Sequence, residues 1–169
     1  MNNSLYSQHH CENTKKFTMK GQRLLPLFVT LSDLLPRRHS VTTGEETLSC
    51  TPFFILGSGR NGSTLLSSML NQHSKLMVAP EQWVLYELII RYKIFNFLSW
   101  NKLSAMLIQR IAKPDVSEGW DISSEKIIEK ISALPAEQRS LIKILDELYC
   151  ETGRKKEVSF TTWGDKSPL

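Results

Sequence analysis

The chain has 169 residues, 41% of them hydrophobic and 22% charged, which supports one packed domain and excludes wholesale disorder. A net charge of +4 and a pI near 9.0 suit a small anionic ligand but are too diffuse for a nucleic-acid surface, since the longest basic cluster is only Arg154-Lys155-Lys156. Cys11, Cys50 and Cys150 show no CxxC spacing and form no ligand pattern with His9, His10, His39 or His73; this argues against a disulfide framework or zinc site and reads best as free thiols in a reducing compartment.

Residues 1–23 are polar and aperiodic and are expected to be disordered. The apolar run Leu24–Leu35 is broken by Pro26, Ser32 and Asp33, so it is no membrane span. Lys15, Lys16, Lys20 and Arg23 precede it, which leaves a secretory signal or a transit peptide as alternatives. The preferred reading of 1–49 is an extension, disordered or loosely docked, with Pro36–Glu46 as linker and a folded part over 50–169.

Phe53–Leu56 is wholly apolar and predicts a short buried strand. Leu65, Leu66, Met69 and Leu70 then mark a helical stripe from Ser63, ended by Asn71–Ser74. Leu76–Ala79 predicts a second strand, closed by Pro80. Helices are expected over Glu81–Phe97, Lys102–Ile111 and from Ser123/Ser124 through Ile131, with a loop over Lys113–Asp121. Pro135–Cys150 predicts a further helix, with Leu141, Ile144, Leu145, Leu148 and Tyr149 on one face and Gly153 as its stop. Val158–Thr162 predicts a strand and Trp163–Pro168 a loop. Alternating strands and helices imply an α/β fold with a P-loop-like parallel sheet flanked by helices.

Between the first strand and its helix runs Gly57-Ser58-Gly59-Arg60-Asn61-Gly62-Ser63-Thr64. A helix start exposes unpaired N–H groups and a positive dipole end, and glycines let further N–H groups point inward. Phosphate is the usual occupant of such a nest. Ser63 and Thr64 add hydroxyls and Arg60 adds a fork suited to phosphate or sulfate. The spacing Gly57-x4-Gly62 is that of a P-loop, yet Ser63 stands where the triphosphate-binding lysine belongs. A glycine turn that merely joins strand to helix is the alternative.

The run from Gly57 to Glu81, with Arg60-Asn61-Gly62-Ser63-Thr64-Leu65-Leu66, then His73, then Glu81, resembles the 5′-phosphosulfate loop of the sulfotransferases. It is most similar to the branch holding the protein-tyrosine sulfotransferases and their bacterial relatives. Trp163-Gly164-Asp165-Lys166-Ser167-Pro168 is similar to a second loop of that family. Asn61 departs from the family's usual serine. The resemblance covers Thr51 to Leu169. The family's segment that grips the donor's 3′-phosphate has no counterpart here, so the sequence resembles the N-terminal part of the domain, truncated at the C-terminus.

This resemblance implies sulfuryl transfer from 3′-phosphoadenosine 5′-phosphosulfate to an acceptor hydroxyl or amine, without a metal. It implies that Gly57, Ser58, Gly59, Arg60, Asn61, Gly62, Ser63 and Thr64 bind the donor. Arg60 would neutralise charge on the 5′-phosphate, Lys166 would reach the bridging or a sulfate oxygen, and Glu81 would take the acceptor's proton. Glu81 also reads as an ordinary acid at a helix start, and Lys166 as a solvated loop charge. Trp83, Tyr86, Tyr92, Phe95 and Trp100 are expected mostly in the core. Two other readings stand beside sulfotransfer: a non-catalytic nucleotide-binding fragment and, more weakly, a P-loop kinase or NTPase. The partners implied are an anionic nucleotide donor and an acceptor left open among protein tyrosine, glycan and small molecule, with no nucleic acid and no transmembrane span. Cytoplasm is slightly favoured over the Golgi lumen or another organelle.

Overall fold

A computed structural model describes residues 25–57, 62–80, 84–113, 116, 120, 122–155 and 159–166. The chain forms two units, Met1–Pro36 and Arg37–Leu169. In the first, the apolar run carries helix α1, Leu25–Ser32. Among the described residues no helix is long and apolar enough to cross a membrane.

The second unit is built on a parallel sheet in the order β1-β3-β2, with β1 at Thr51–Phe54, β2 at Leu76–Val78 and β3 at Thr162–Asp165. Thr51 pairs with Thr162 and Phe54 with Asp165, while Leu76 pairs with Thr162 and Val78 with Gly164. The ladder continues past the strands through Ile55 N–H to Asp165 O, 2.8 Å, and Ala79 N–H to Gly164 O, 3.0 Å. Pro52 cannot donate to a ladder and sits on β1, a flank of the described sheet, as proline in a strand must.

Helix α2, Ser63–Leu70, returns the chain from β1 to β2. At its end Asn71 Oδ1 accepts the Val78 N–H at 2.7 Å, and Asn71 Nδ2 donates to Val78 O at 3.1 Å. One amide side chain thereby satisfies both backbone groups of a β2 residue. Among the described residues four more α-helices follow: α3 at Val84–Ile94, α4 at Trp100–Ile111, α5 at Ser124–Ser132 and α6 at Leu141–Lys155. Leu103, Leu107, Ile108 and Ile111 of α4 are completely buried, and their spacing gives the apolar stripe of a helix facing a core. Each such aliphatic side chain contributes roughly 1.5–3 kcal/mol of transfer free energy. Tyr92 and Trp100 belong to this core, whereas Tyr86 is exposed.

Phe53–Leu56, expected as a buried strand, is found as β1, Thr51–Phe54, with Phe54 and Leu56 exposed. Three further sequence expectations need correction. The expected helix Pro135–Cys150 is divided into a 3-10 turn, Ala136–Gln138, and α6, which begins at Leu141. Gly153 does not end α6. It lies inside the helix because the Phe160 ring occupies the space of a side chain, and a Cβ there would fall 2.2 Å from Phe160 Cε1. Third, Thr162–Asp165 forms the central strand, where a loop was expected from Trp163 onward. Val158, at the start of the expected strand, lies outside the described residues.

The segment 37–49, read from sequence as linker and extension, is held by specific bonds. Asn96 Oδ1 accepts the N–H groups of Arg38 and His39 at 2.7 and 2.9 Å. Tyr92 Oη donates to Ser40 O at 2.6 Å, and Lys143 Nζ donates to Thr47 O at 2.7 Å.

Candidate active site

In a parallel sheet every strand leaves at the same end, and ligands gather outside those carboxyl ends. Here β1 leads into Gly57 and the glycine-rich turn, β2 leads through Ala79 and Pro80 to Glu81, and β3 leads directly to Lys166. Among the described residues, Gly57, Gly62, Ser63, Thr64 and Lys166 all lie on segments at or leaving the same end of the three-stranded sheet.

Gly62, at the entry to α2, has φ +80°, the left-handed region that glycine enters without strain. Among the described residues no side-chain hydrogen bond caps α2 at Gly62, and its first turn carries no acidic residue. The helix itself thus brings no acid to its positive end. Thr64, in that first turn, is exposed. Lys166 Nζ donates to Thr64 Oγ1 at 2.8 Å, although Lys166 is only 7% exposed. A buried ammonium beside an uncapped helix start is a concentration of positive charge that suits an anionic group.

Lys166 is aimed by a buried polar framework beneath it. Asp165 accepts a hydrogen bond from Tyr149 Oη of α6. The Tyr149 ring stacks on Trp163 with centroids 4.3 Å apart and planes at 19°, and Trp120 meets Tyr149 edge-on at 4.9 Å. Trp163 Nε1 donates to Asp146 Oδ1 at 3.0 Å, and Asp146 Oδ2 accepts the Ser49 N–H at 2.7 Å. Burial pushes the Asp146 carboxyl up, but the Ser49 amide, the Trp163 indole and the Lys143 ammonium outweigh it and hold the group below the usual carboxylate range. Burial, reinforced by the Asp165 carboxylate, pushes the Tyr149 hydroxyl well above its ordinary value. A paired, ionised Asp146 and a neutral Tyr149 therefore fix the last strand before Lys166.

Of the predicted site residues, Gly57, Gly62, Ser63, Thr64 and Lys166 are described, and the structure brings Thr64 and Lys166 into contact. Ser58, Gly59, Arg60, Asn61 and Glu81 lie outside the described residues. Asp146, Tyr149, Trp163 and Asn71 were not singled out as supports for the site. The available signal was the charged set Lys143, Asp146 and Glu147 among the apolar residues of Leu141–Tyr149.

The model of the family described as "Sulfotransferase family" matches residues 52–168. The chain belongs to the sulfotransferase family. Family membership makes it a transferase by fold and by motif, and the matched span contains both the α2 entry and Lys166. Neither a curated protein nor a solved structure gives a significant match. Within this sulfotransferase domain, the Lys166–Thr64 pair joins the two sequence motifs that suggested the family.

Proposed function

We propose that the chain is a sulfotransferase that uses 3′-phosphoadenosine 5′-phosphosulfate and modifies an acceptor hydroxyl or amine. The observation that carries this reading is the 2.8 Å bond from Lys166 Nζ to Thr64 Oγ1 at the uncapped start of α2. The donor, when bound, supplies the sulfuryl group and departs as a nucleotide bearing a new negative charge. The backbone N–H groups over 57–64 and the hydroxyls of Ser63 and Thr64 hold the 5′-phosphate. Arg60 and Lys166 stabilise the charge that develops as the bond to sulfur breaks. Glu81, on the segment leaving β2, takes the acceptor proton.

Electrostatic support is local as well as global. The net charge of +4 favours an anionic donor, and Lys166 delivers one of these charges to a buried position. Ser63 occupies the place of the triphosphate lysine, which argues against an NTPase. A cytoplasmic placement, slightly favoured over the Golgi lumen or another organelle, belongs to the same proposal.

Calorimetry with adenosine 3′,5′-bisphosphate against ATP-magnesium tests the donor class. The bisphosphate binds under this reading, and Arg60→Ala weakens that binding. Preference for ATP-magnesium would reject it in favour of a kinase or NTPase. A sulfate-transfer assay on the same sample, with phenolic, sugar and amine acceptors, separates catalysis from nucleotide binding alone.

A further inference from the structure

We propose that Cys50 and Cys150 form a dithiol site, convertible to one intramolecular disulfide by a low-molecular-weight disulfide such as oxidised glutathione. Their distance in sequence hides the pairing, which the fold creates. Cys50 immediately precedes β1, and Cys150 lies on α6. Burial first, then the Asp146 carboxylate and the nearby Cys50 thiol, push the Cys150 thiol up. A single atom also holds both residues: Asp146 Oδ1 accepts the Cys50 N–H at 3.3 Å and the Cys150 thiol at 3.5 Å. Both cysteines are free thiols in the structure.

Access orders the chemistry. Cys150 is 2% exposed, whereas Cys50 is half-buried, so the external disulfide enters at Cys50. The Cys50 thiolate attacks one sulfur of oxidised glutathione, forming a mixed disulfide and releasing one glutathione. The Cys150 thiolate then attacks the Cys50 sulfur, the protein disulfide forms and the second glutathione leaves. Two protein thiols and one glutathione disulfide become one protein disulfide and two glutathione thiols, with two electrons passing to glutathione. Cys150 is the more deeply buried of the two, so it acts second, as the resolving thiol. The new bond would fasten the start of β1 to α6, the helix whose Tyr149 supports Asp165.

The test uses the full folded chain, treated with oxidised glutathione, quenched in acid and mapped by mass spectrometry. The expected product has lost two hydrogens and yields a linked Cys50–Cys150 peptide. In a Cys150→Ser variant the reaction stops with one glutathionyl group on Cys50. The same treatment of the wild-type chain unfolded in denaturant controls for folding. There the Cys11–Cys50 link is expected to dominate, because those residues are closer in sequence. Absence of the Cys50–Cys150 link from the folded protein overturns the proposal, whether Cys50 remains free or carries glutathione. An identical distribution of links in folded and unfolded samples overturns it too.

Discussion

Lys166 and Thr64 are 102 positions apart and their side chains meet at 2.8 Å. Lys166→Ala removes a charged donor from the proposed phosphate site and is expected to weaken adenosine 3′,5′-bisphosphate binding by about 1.5–3 kcal/mol, roughly tenfold or more. Thr64→Ala should cost less, about 0.5–1.5 kcal/mol. Because the two side chains touch, the double variant should lose less than the sum. Calorimetric titration of all four proteins checks this, and strict additivity would mean that the contact plays no part in binding.

Gly164 is a packing constraint on the central strand. A Cβ on it would lie 2.3 Å from Phe53 Cζ and 2.7 Å from Cε1 and Cε2. Gly164→Ala is therefore expected to destabilise the fold by about 1–3 kcal/mol through overpacking. Shortening the ring with Phe53→Leu in the Gly164→Ala background should recover part of that loss. Urea unfolding of the single and double variants measures both effects.

Acid should destabilise the fold through the carboxylates held below their unfolded values. Glu46 is drawn down to about 2: burial opposes this, but hydrogen bonds from Thr42 and Thr43 outweigh it. Asp146 is lowered as well. A depressed folded pKa gives stability that is present above the unfolded value and is lost as pH falls through the folded one. The window for Glu46 runs from 4.5 down to about 2, and that for Asp146 opens below 3.8. Glu46→Gln should lower stability at neutral pH and flatten its decline over that window, as followed by urea unfolding at a series of pH values.

Alkali should meet resistance at two tyrosines. Burial raises Tyr92, and burial with the Asp165 carboxylate raises Tyr149. Their phenols stay protonated as pH passes the ordinary value of 10.0. A raised folded pKa contributes stability that is full below the unfolded value and is lost as pH rises through the folded one. Ultraviolet phenolate titration should therefore show these two groups ionising only together with unfolding. Tyr149→Phe should remove one of them and destabilise the fold by about 1–3 kcal/mol, because Asp165 loses a buried donor.

The parallel α/β plan was legible because its signals are local: an apolar run, a glycine turn, then a helical stripe from Ser63. The strand Leu76–Ala79 was legible for the same reason and was found at Leu76–Val78. Other features depended on contacts remote in sequence. Gly153 looks like a helix stop until Phe160 is known to fill its side-chain space. Trp163-Gly164-Asp165 looks like a loop because two of its residues are poor strand formers. It becomes a strand because Phe53 packs over Gly164 and Tyr149 satisfies Asp165. The site motifs were visible one by one; their contact through Lys166 and Thr64 was not.

The strand order β1-β3-β2 has a bearing on biosynthesis. β3 is translated after both of its neighbours, yet the two have no described pairing except through it. A ribosome-bound nascent chain that has already released β1 and β2 still has no sheet, and it carries the apolar segments of both without their shared partner. Such a chain is a natural client for chaperones until residues 162–165 clear the exit tunnel. Both described strand pairings are then postponed to one late insertion, which makes non-local pairing the slow event of folding.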